Sequence, residues 1–453
     1  MKGKRVVVID IAGLGMQHFE DTAALPRLSS LVRRGRLLRM KPVFPAVTLP
    51  VQASLTTGLF PDRHGVVANG FYFREDHRIA FWEQAAALVG GERIWERLKR
   101  KSPSLKTASL FLQNTLYASC DAVITPKPLH TGKGMVQWCY SKPPGLYEEI
   151  CEKRGEFDLL HYWGPLASIE SSRWIAGASL EVMDRIRPDL LFVYLPHLDY
   201  CLQRHGPGSP AVHEELARVD AEAGRIIDGI GERGLSGETV FIVLSEYAFS
   251  AVTGDIPLNR IFRENGLFAV RTIAGREYPD FELTPAFAMV DHQVAHVYCK
   301  PGHLSAVRNI LERTDGVDHI LQGEGKKEYR IGHQRSGDLV AVSARDRWFS
   351  YYWWEERVRE PDFAGQVDIH RKPGYDPLEL FIERGEHGTF RVPQDTGLIK
   401  GSHGYPPLGE EDMIPLLLSG EGTEALGLPD ALCIADIPSI IEEILFPGAQ
   451  EDR

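Results

Sequence analysis

Five side chains able to hold a metal ion or take part in hydrolysis stand at the ends of apolar runs. Asp10 closes "RVVVID", Thr48 follows "PVFPAV", Asp199 closes "LLFVYLPHLD", Glu246 closes "VFIVLSE", and His403 lies in the tight "GSHGY" turn. Singly, each has an ordinary role: Asp10 as a loop cap, Thr48 as a helix N-cap, His403 as a turn residue. Taken together, oxygen and nitrogen donors from five separated segments suit a hydrolytic metal site at one edge of a sheet.

The elements that must position them are legible as period and run length. "RVVVID", "TASLF", "DLLFVYL" and "TVFIVLS" are nearly apolar throughout, as buried parallel strands are. Between the last two, Leu216, Val219, Ala223, Ile226, Ile227 and Ile230 recur at helical spacing, with Gly234 as a stop. Strand, helix and strand in that order imply a doubly wound α/β fold with a mostly parallel central sheet. The core is expected over residues 1–255, with a loop-rich excursion at about 71–165. A smaller inserted α+β subdomain is expected over 256–391, built on "HVYCK", a helix in "HLSAVRNILERT", "YRIG" and "DLVAVSA". The core then returns over 392–453, with strand "MIPLLLSG" and helix "IPSIIEEIL".

The chain has 453 residues and a formal net charge of −11, an acidic balance that argues against nucleic-acid scaffolding. A phosphate-bearing small substrate stays open, because a metal ion can supply local positive charge. Six scattered cysteines without a CxxC pair read as reduced thiols of a cytoplasmic protein. No run offers the roughly 20 apolar residues of a membrane helix, and oligomeric state leaves no mark. "GLG" at 13–15 is too short for a dinucleotide fingerprint. The aromatic run Trp348–Trp354 reads as a core cluster rather than a base-binding cleft. "HRKPGYD", His370–Asp376, is equally a substrate-phosphate contact or an exposed turn.

The segment "FPAVTLPVQASLTTGLFPDRHGVVANG", residues 44–70, resembles the nucleophile segment of the type I phosphodiesterase/nucleotide pyrophosphatase family of the alkaline phosphatase superfamily. "GSHGYPP…MIPLLLSG" resembles that family's late "GxHGY…M" segment, and the order of segments agrees from Val6 to about Leu445. The nearest likeness is to a bacterial branch with "YLPHLDYCLQRHGP", "VLSEYAFS" and "FAMVDHQVAHVY". The resemblance implies Thr48 as nucleophile and metal ligand, Asn69 as holder of a phosphate oxygen, and Asp10 and His403 as metal ligands. It further implies a phospho-threonine intermediate, one or two divalent metals, and a small phosphoester substrate such as a nucleotide. If Pro50 starts a helix, the first-turn amides would point at the developing charge. A second metal would be held partly by His403 and Asp199.

Two motifs depart from the family pattern. Gln203 stands where DxxGH has its histidine, and "SEYA" replaces "SDHG", giving Glu246 and Tyr247. Glu246 can still ligate through oxygen, but a neutral tyrosine is a poor ligand. His205, His292, His370 and His197 are candidates for compensation, with His292 preferred. An Asp291–His292 structural pair is the equal alternative. With fewer imidazoles, zinc remains the first expectation, and manganese, magnesium or a single metal gain weight. The activity expected is phosphodiester hydrolysis. The alternatives are a phosphomonoesterase or phosphonate hydrolase of the superfamily, or a non-catalytic binding protein on its scaffold.

Overall fold

The computed structural model describes residues 4–132, 134–385 and 388–448. In chain order, the elements that matter for the site begin with β1 (Arg5–Ile11), β2 (Gly35–Met40) and helix α1 (Thr48–Thr57). Next come β3 (Thr107–Leu110), β4 (Ala122–Pro126), β5 (Cys139–Lys142), β6 (Leu190–Leu195), α2 (His197–His205), α3 (Pro210–Glu232) and β7 (Thr239–Leu244). The chain continues through β8 (Ala286–Asp291), β9 (Val294–Cys299), β10 (Val317–Leu321), β11 (Leu339–Ser343) and β12 (Ile414–Ser419).

Eight strands form the central sheet in the order β2-β12-β7-β1-β6-β3-β4-β5. The middle is parallel: β1 pairs with β6 and β7, β6 with β3, and β3 with β4. Antiparallel strands close both edges, through β12 beside β7 and β2, and β5 beside β4. All seven residues of β1 are buried, which is why "RVVVIDI" carries no alternation. Helix α3 begins at Pro210 with Ser209 capping Ala211 N–H, and its periodic apolar face is buried, as its spacing predicts. The stretch read as a loop-rich excursion holds β3, expected from "TASLF", and two further strands of the central sheet, β4 and the edge strand β5.

Between β7 and β12 the chain builds a second sheet, antiparallel, in the order β8-β9-β11-β10. Its core includes Trp348, Tyr351, Trp353 and Trp354, so the aromatic run is packing and not a cleft wall. "YRIG" follows a short helix, Glu324–Glu328, as a turn. Among the described residues no helix is long and apolar enough to cross a membrane, and the six cysteines are unpaired.

Candidate active site

Helix α1 starts at Thr48, not at Pro50. Val47 is the extended N-cap residue and makes no side-chain cap. Thr48 therefore occupies the first helical position, where its hydroxyl is not used for capping. That work is done from outside: Asn69 Oδ1 accepts the Leu49 N–H at 2.9 Å. Asn69 is itself clamped by Asp291, whose carboxylate takes the Asn69 N–H at 2.7 Å and the side-chain Nδ2–H at 3.1 Å. All ten residues of α1 are buried, and its later hydroxyls fold back on the helix, Thr56 to Gln52 O at 2.6 Å and Thr57 to Ala53 O at 2.7 Å.

Thr48 Oγ1 lies 3.3 Å from Tyr247 Oη, and Tyr247 donates its one hydrogen to Asp199 Oδ1 at 3.1 Å. With the phenol hydrogen so committed, Thr48 is the donor in the first contact. Gln203 Nε2 donates to the other oxygen, Asp199 Oδ2, at 2.6 Å, and Gln203 Oε1 accepts from Tyr375 Oη at 2.8 Å. His403 Nδ1 meets the Ala46 carbonyl at 2.9 Å, which fixes the proton there and turns Nε2 towards Asp199 Oδ1, 3.6 Å away.

Around this chain the rings form a column. Tyr247 stacks on His403 with centroids 3.5 Å apart and planes 2° apart. His403 packs against His292 at 3.8 Å, and His292 against Tyr375 at 3.9 Å. His292 occupies the β8–β9 turn at φ 57°, an unusual backbone for a non-glycine residue. Among the described residues no hydrogen bond or ion pair joins it to a carboxylate. Its polar contact is Ser402 Oγ at 3.5 Å from Nδ1.

The other half of the cluster is different. Asp10 and Glu246 are wholly buried side by side, and Asp10 Oδ2 receives Gln52 Nε2 at 3.4 Å. Thr48 and Gln52 also approach Glu246. Asp10 Oδ1 and both Glu246 oxygens are left with no partner. Burial pushes Asp10 up to about 8, and burial together with the Asp10 charge pushes Glu246 well above the carboxylate range. Burial likewise raises Asp199 to about 7 and lowers His403 to about 3.

The remaining sequence candidates lie elsewhere. His205 is exposed at the end of α2, and His197 bonds Ser172 at 2.9 Å under the helices. His370 is exposed and touches the Phe81 carbonyl at 3.2 Å. In "HRKPGYD", buried Lys372 is committed to Asp376 at 2.8 Å and Glu379 at 2.7 Å, leaving no free cation there. Sequence reasoning does not single out Gln52 or Tyr375, and Asp291, read there only as one half of a structural pair with His292, clamps Asn69. Gln52 was within reach, since it follows Thr48 by four residues and so shares its helix face.

Among the described residues no three His, Cys, Asp or Glu side chains gather as a metal-ligand group. A cavity of about 280 Å³ runs behind Ala46 and Ala248, and none of the clustered polar side chains lines it.

The parallel sheet carries a hydroxyl at the head of a buried helix and buried acids at the ends of its strands. Residues 6–376 match the sequence profile of the type I phosphodiesterase/nucleotide pyrophosphatase family, and the chain belongs to that family. Among curated relatives, an uncharacterized pyrophosphatase/phosphodiesterase of Schizosaccharomyces pombe is 25% identical over 60% of this chain and 49% of its own length. Human ectonucleotide pyrophosphatase/phosphodiesterase family member 1 is 26% identical over 49% of this chain and 21% of its own. The matches thus span half or less of those relatives.

Two solved structures share the fold. Murine ectonucleotide pyrophosphatase/phosphodiesterase 5, in an inactive threonine-to-alanine form with AMP, aligns over 98% of this chain and 95% of its own, with a TM-score of 0.60 at 15% identity. Phosphonoacetate hydrolase of Sinorhizobium meliloti 1021, in complex with phosphonoformate, aligns over 97% and 95%, with a TM-score of 0.61 at 17% identity.

Proposed function

We propose that this protein is a metal-dependent phosphoester hydrolase, acting on phosphodiesters or nucleotide pyrophosphates through a phospho-threonine at Thr48. The observation that carries the reading is the Thr48 hydroxyl, spared from capping by Asn69 and hydrogen-bonded towards Asp199 through Tyr247.

In this reading Thr48 Oγ1 attacks phosphorus in line, the Oγ1–P bond forms, and the bond from phosphorus to the leaving oxygen breaks. The threonine proton moves to Tyr247 Oη as the phenol proton moves to Asp199 Oδ1. Water then cleaves the Oγ1–P bond and restores the hydroxyl. The α1 terminus contributes less than a full turn of amides. Leu49 N–H is taken by Asn69, Pro50 has none, and Val51 N–H goes to Val47 O at 3.1 Å. Thr48's own N–H and the second hydrogen of Asn69 Nδ2 are left to meet phosphoryl oxygens.

Asp10, Glu246 and Thr48 suit a divalent cation, because two buried carboxylates with unpartnered oxygens call for positive charge. A cation there supplies Lewis acidity to the threonine oxygen and the phosphoryl group. An all-oxygen donor set favours magnesium or manganese over zinc. We assign His292 to the ring column rather than to metal. The unpaired cysteines accord with a reducing, cytoplasmic setting.

Thr48→Ala and Thr48→Ser, assayed on p-nitrophenyl mono- and diesters and a phosphonate, test the reading. Alanine should abolish turnover and serine should retain part of it. Undiminished turnover by the alanine variant would rule out the threonine route, and monoester or phosphonate preference would move the substrate class.

A further inference from the structure

The two halves of the site are satisfied by opposite means. On one side Asp10 Oδ1 and both Glu246 oxygens are buried without partners. On the other, both oxygens of Asp199 are engaged by neutral protein donors, Gln203 Nε2 at 2.6 Å and Tyr247 Oη at 3.1 Å. Gln203 is anchored in turn by Tyr375 at 2.8 Å, so its amide is held with Nε2 towards the carboxylate. His403 is clasped between Tyr247 and His292 at 3.5 and 3.8 Å, with Nδ1 held by Ala46. The pair His403 Nε2 and Asp199 Oδ1, 3.6 Å apart, has no third ligand beside it: Gln203 directs N–H groups and Tyr247 an O–H at the carboxylate.

We propose that this hydrogen-bonded frame, Tyr247–Asp199–Gln203–Tyr375 with its four-ring column, stands in place of a second cation, so that the chain takes one divalent ion only, at Asp10, Glu246 and Thr48. The physical logic is charge balance. A lone carboxylate with a good donor on each oxygen needs no ion. A buried pair of carboxylates with three idle oxygens stays ionised only beside a positive charge. Tyr375 belongs to the frame, so the 363–380 segment that carries it becomes part of the site's wall.

The inference rests on the metal-dependent reading above, but its test counts ions and does not need turnover. The full chain, stripped by chelator and titrated with Mn²⁺, is followed by calorimetry and by elemental analysis after desalting. One ion per chain is expected. Asp10→Asn should lose it, and Asp199→Asn should keep it with affinity changed less than about fivefold. The Gln203→His/Tyr247→His double variant, checked for folding by circular dichroism, should gain a second ion with Zn²⁺. Two ions in the wild type, none at all, or an ion lost in Asp199→Asn but kept in Asp10→Asn would overturn the proposal. A folded double variant that still takes one ion would overturn the role given to Gln203 and Tyr247. Should the double variant not fold, the Asp10 and Asp199 comparison decides. An ion count of one without hydrolysis of any phosphoester would sink the functional reading and leave this inference standing.

Discussion

Tyr247→Phe removes one oxygen atom and tests the proton path. The ring remains, so its stacking on His403 at 3.5 Å is unaffected. What disappears is the hydroxyl bridging Thr48 Oγ1, at 3.3 Å, and Asp199 Oδ1, at 3.1 Å. A positioned acceptor for a reacting proton contributes about 10²–10⁴ in rate. The 3.3 Å approach is long for an O–H···O contact, which puts this relay near the lower end, about 10²-fold. That corresponds to roughly 2.7 kcal/mol in the barrier. Stability should also fall, by about 2 kcal/mol, because a buried bond to a carboxylate is lost while Gln203 still holds Asp199. The assay is kcat on a p-nitrophenyl phosphodiester at saturating substrate, with urea unfolding alongside. A kcat near 1% of wild type in a folded variant is expected. Wild-type kcat would show that the threonine proton leaves by another route.

Three further outcomes follow from other contacts. Lys372→Met leaves Asp376 and Glu379 buried without their cation and should cost about 3–5 kcal/mol in urea unfolding; a loss under about 1 kcal/mol would contradict the pairing. Asn69→Ala strands the Leu49 N–H and the Asp291 carboxylate, and should cost about 2–4 kcal/mol while lowering turnover, whereas an unchanged urea midpoint would refute the external cap. His296 holds the Val67 carbonyl through Nε2 at 2.9 Å and accepts Gly337 N–H at Nδ1 at 3.1 Å, and burial lowers its pKa from 6.5 to about 3. The unfolded chain binds that proton first as pH falls through 6.5, so the stability this neutral histidine gives is lost progressively between 6.5 and 3. The buried carboxylates titrate with the opposite sign, so the readout is a difference. The advantage of wild type over His296→Gln should narrow from pH 7 to pH 5 by about 2 kcal/mol, and a constant gap would contradict a histidine held neutral by burial.

What could be read from the sequence was whatever depends on local period. "RVVVID" and "TVFIVLS" had to be buried strands because they lack a polar face, and the acids closing them had to fall at the strand ends. The Thr48 segment was readable because hydroxyl, proline and apolar helix lie within a few residues. What escaped was set by long-range packing. Whether Thr48 caps its own helix depends on Asn69, and Asn69 in turn depends on Asp291, 222 residues further along. Tyr375 reaches Gln203 across 172 residues, so no window on the sequence could disclose that the glutamine is held by a phenol. His292 was suspected as a ligand from its hairpin turn. The turn was right, but the ring's neighbours, His403 and Tyr375, are known only once the chain has folded.

The central claim is that Thr48 carries the phosphoryl group during turnover. Rapid acid quench of the enzyme with excess phosphodiester, followed by peptide mass spectrometry, tests it directly. An adduct on the Thr48 peptide carrying the phosphoryl group with its retained ester, localised to Thr48 and absent from Thr48→Ala, is the predicted result. Turnover under the same conditions with Thr48 unmodified at every quench time, or an adduct on another residue, would contradict it.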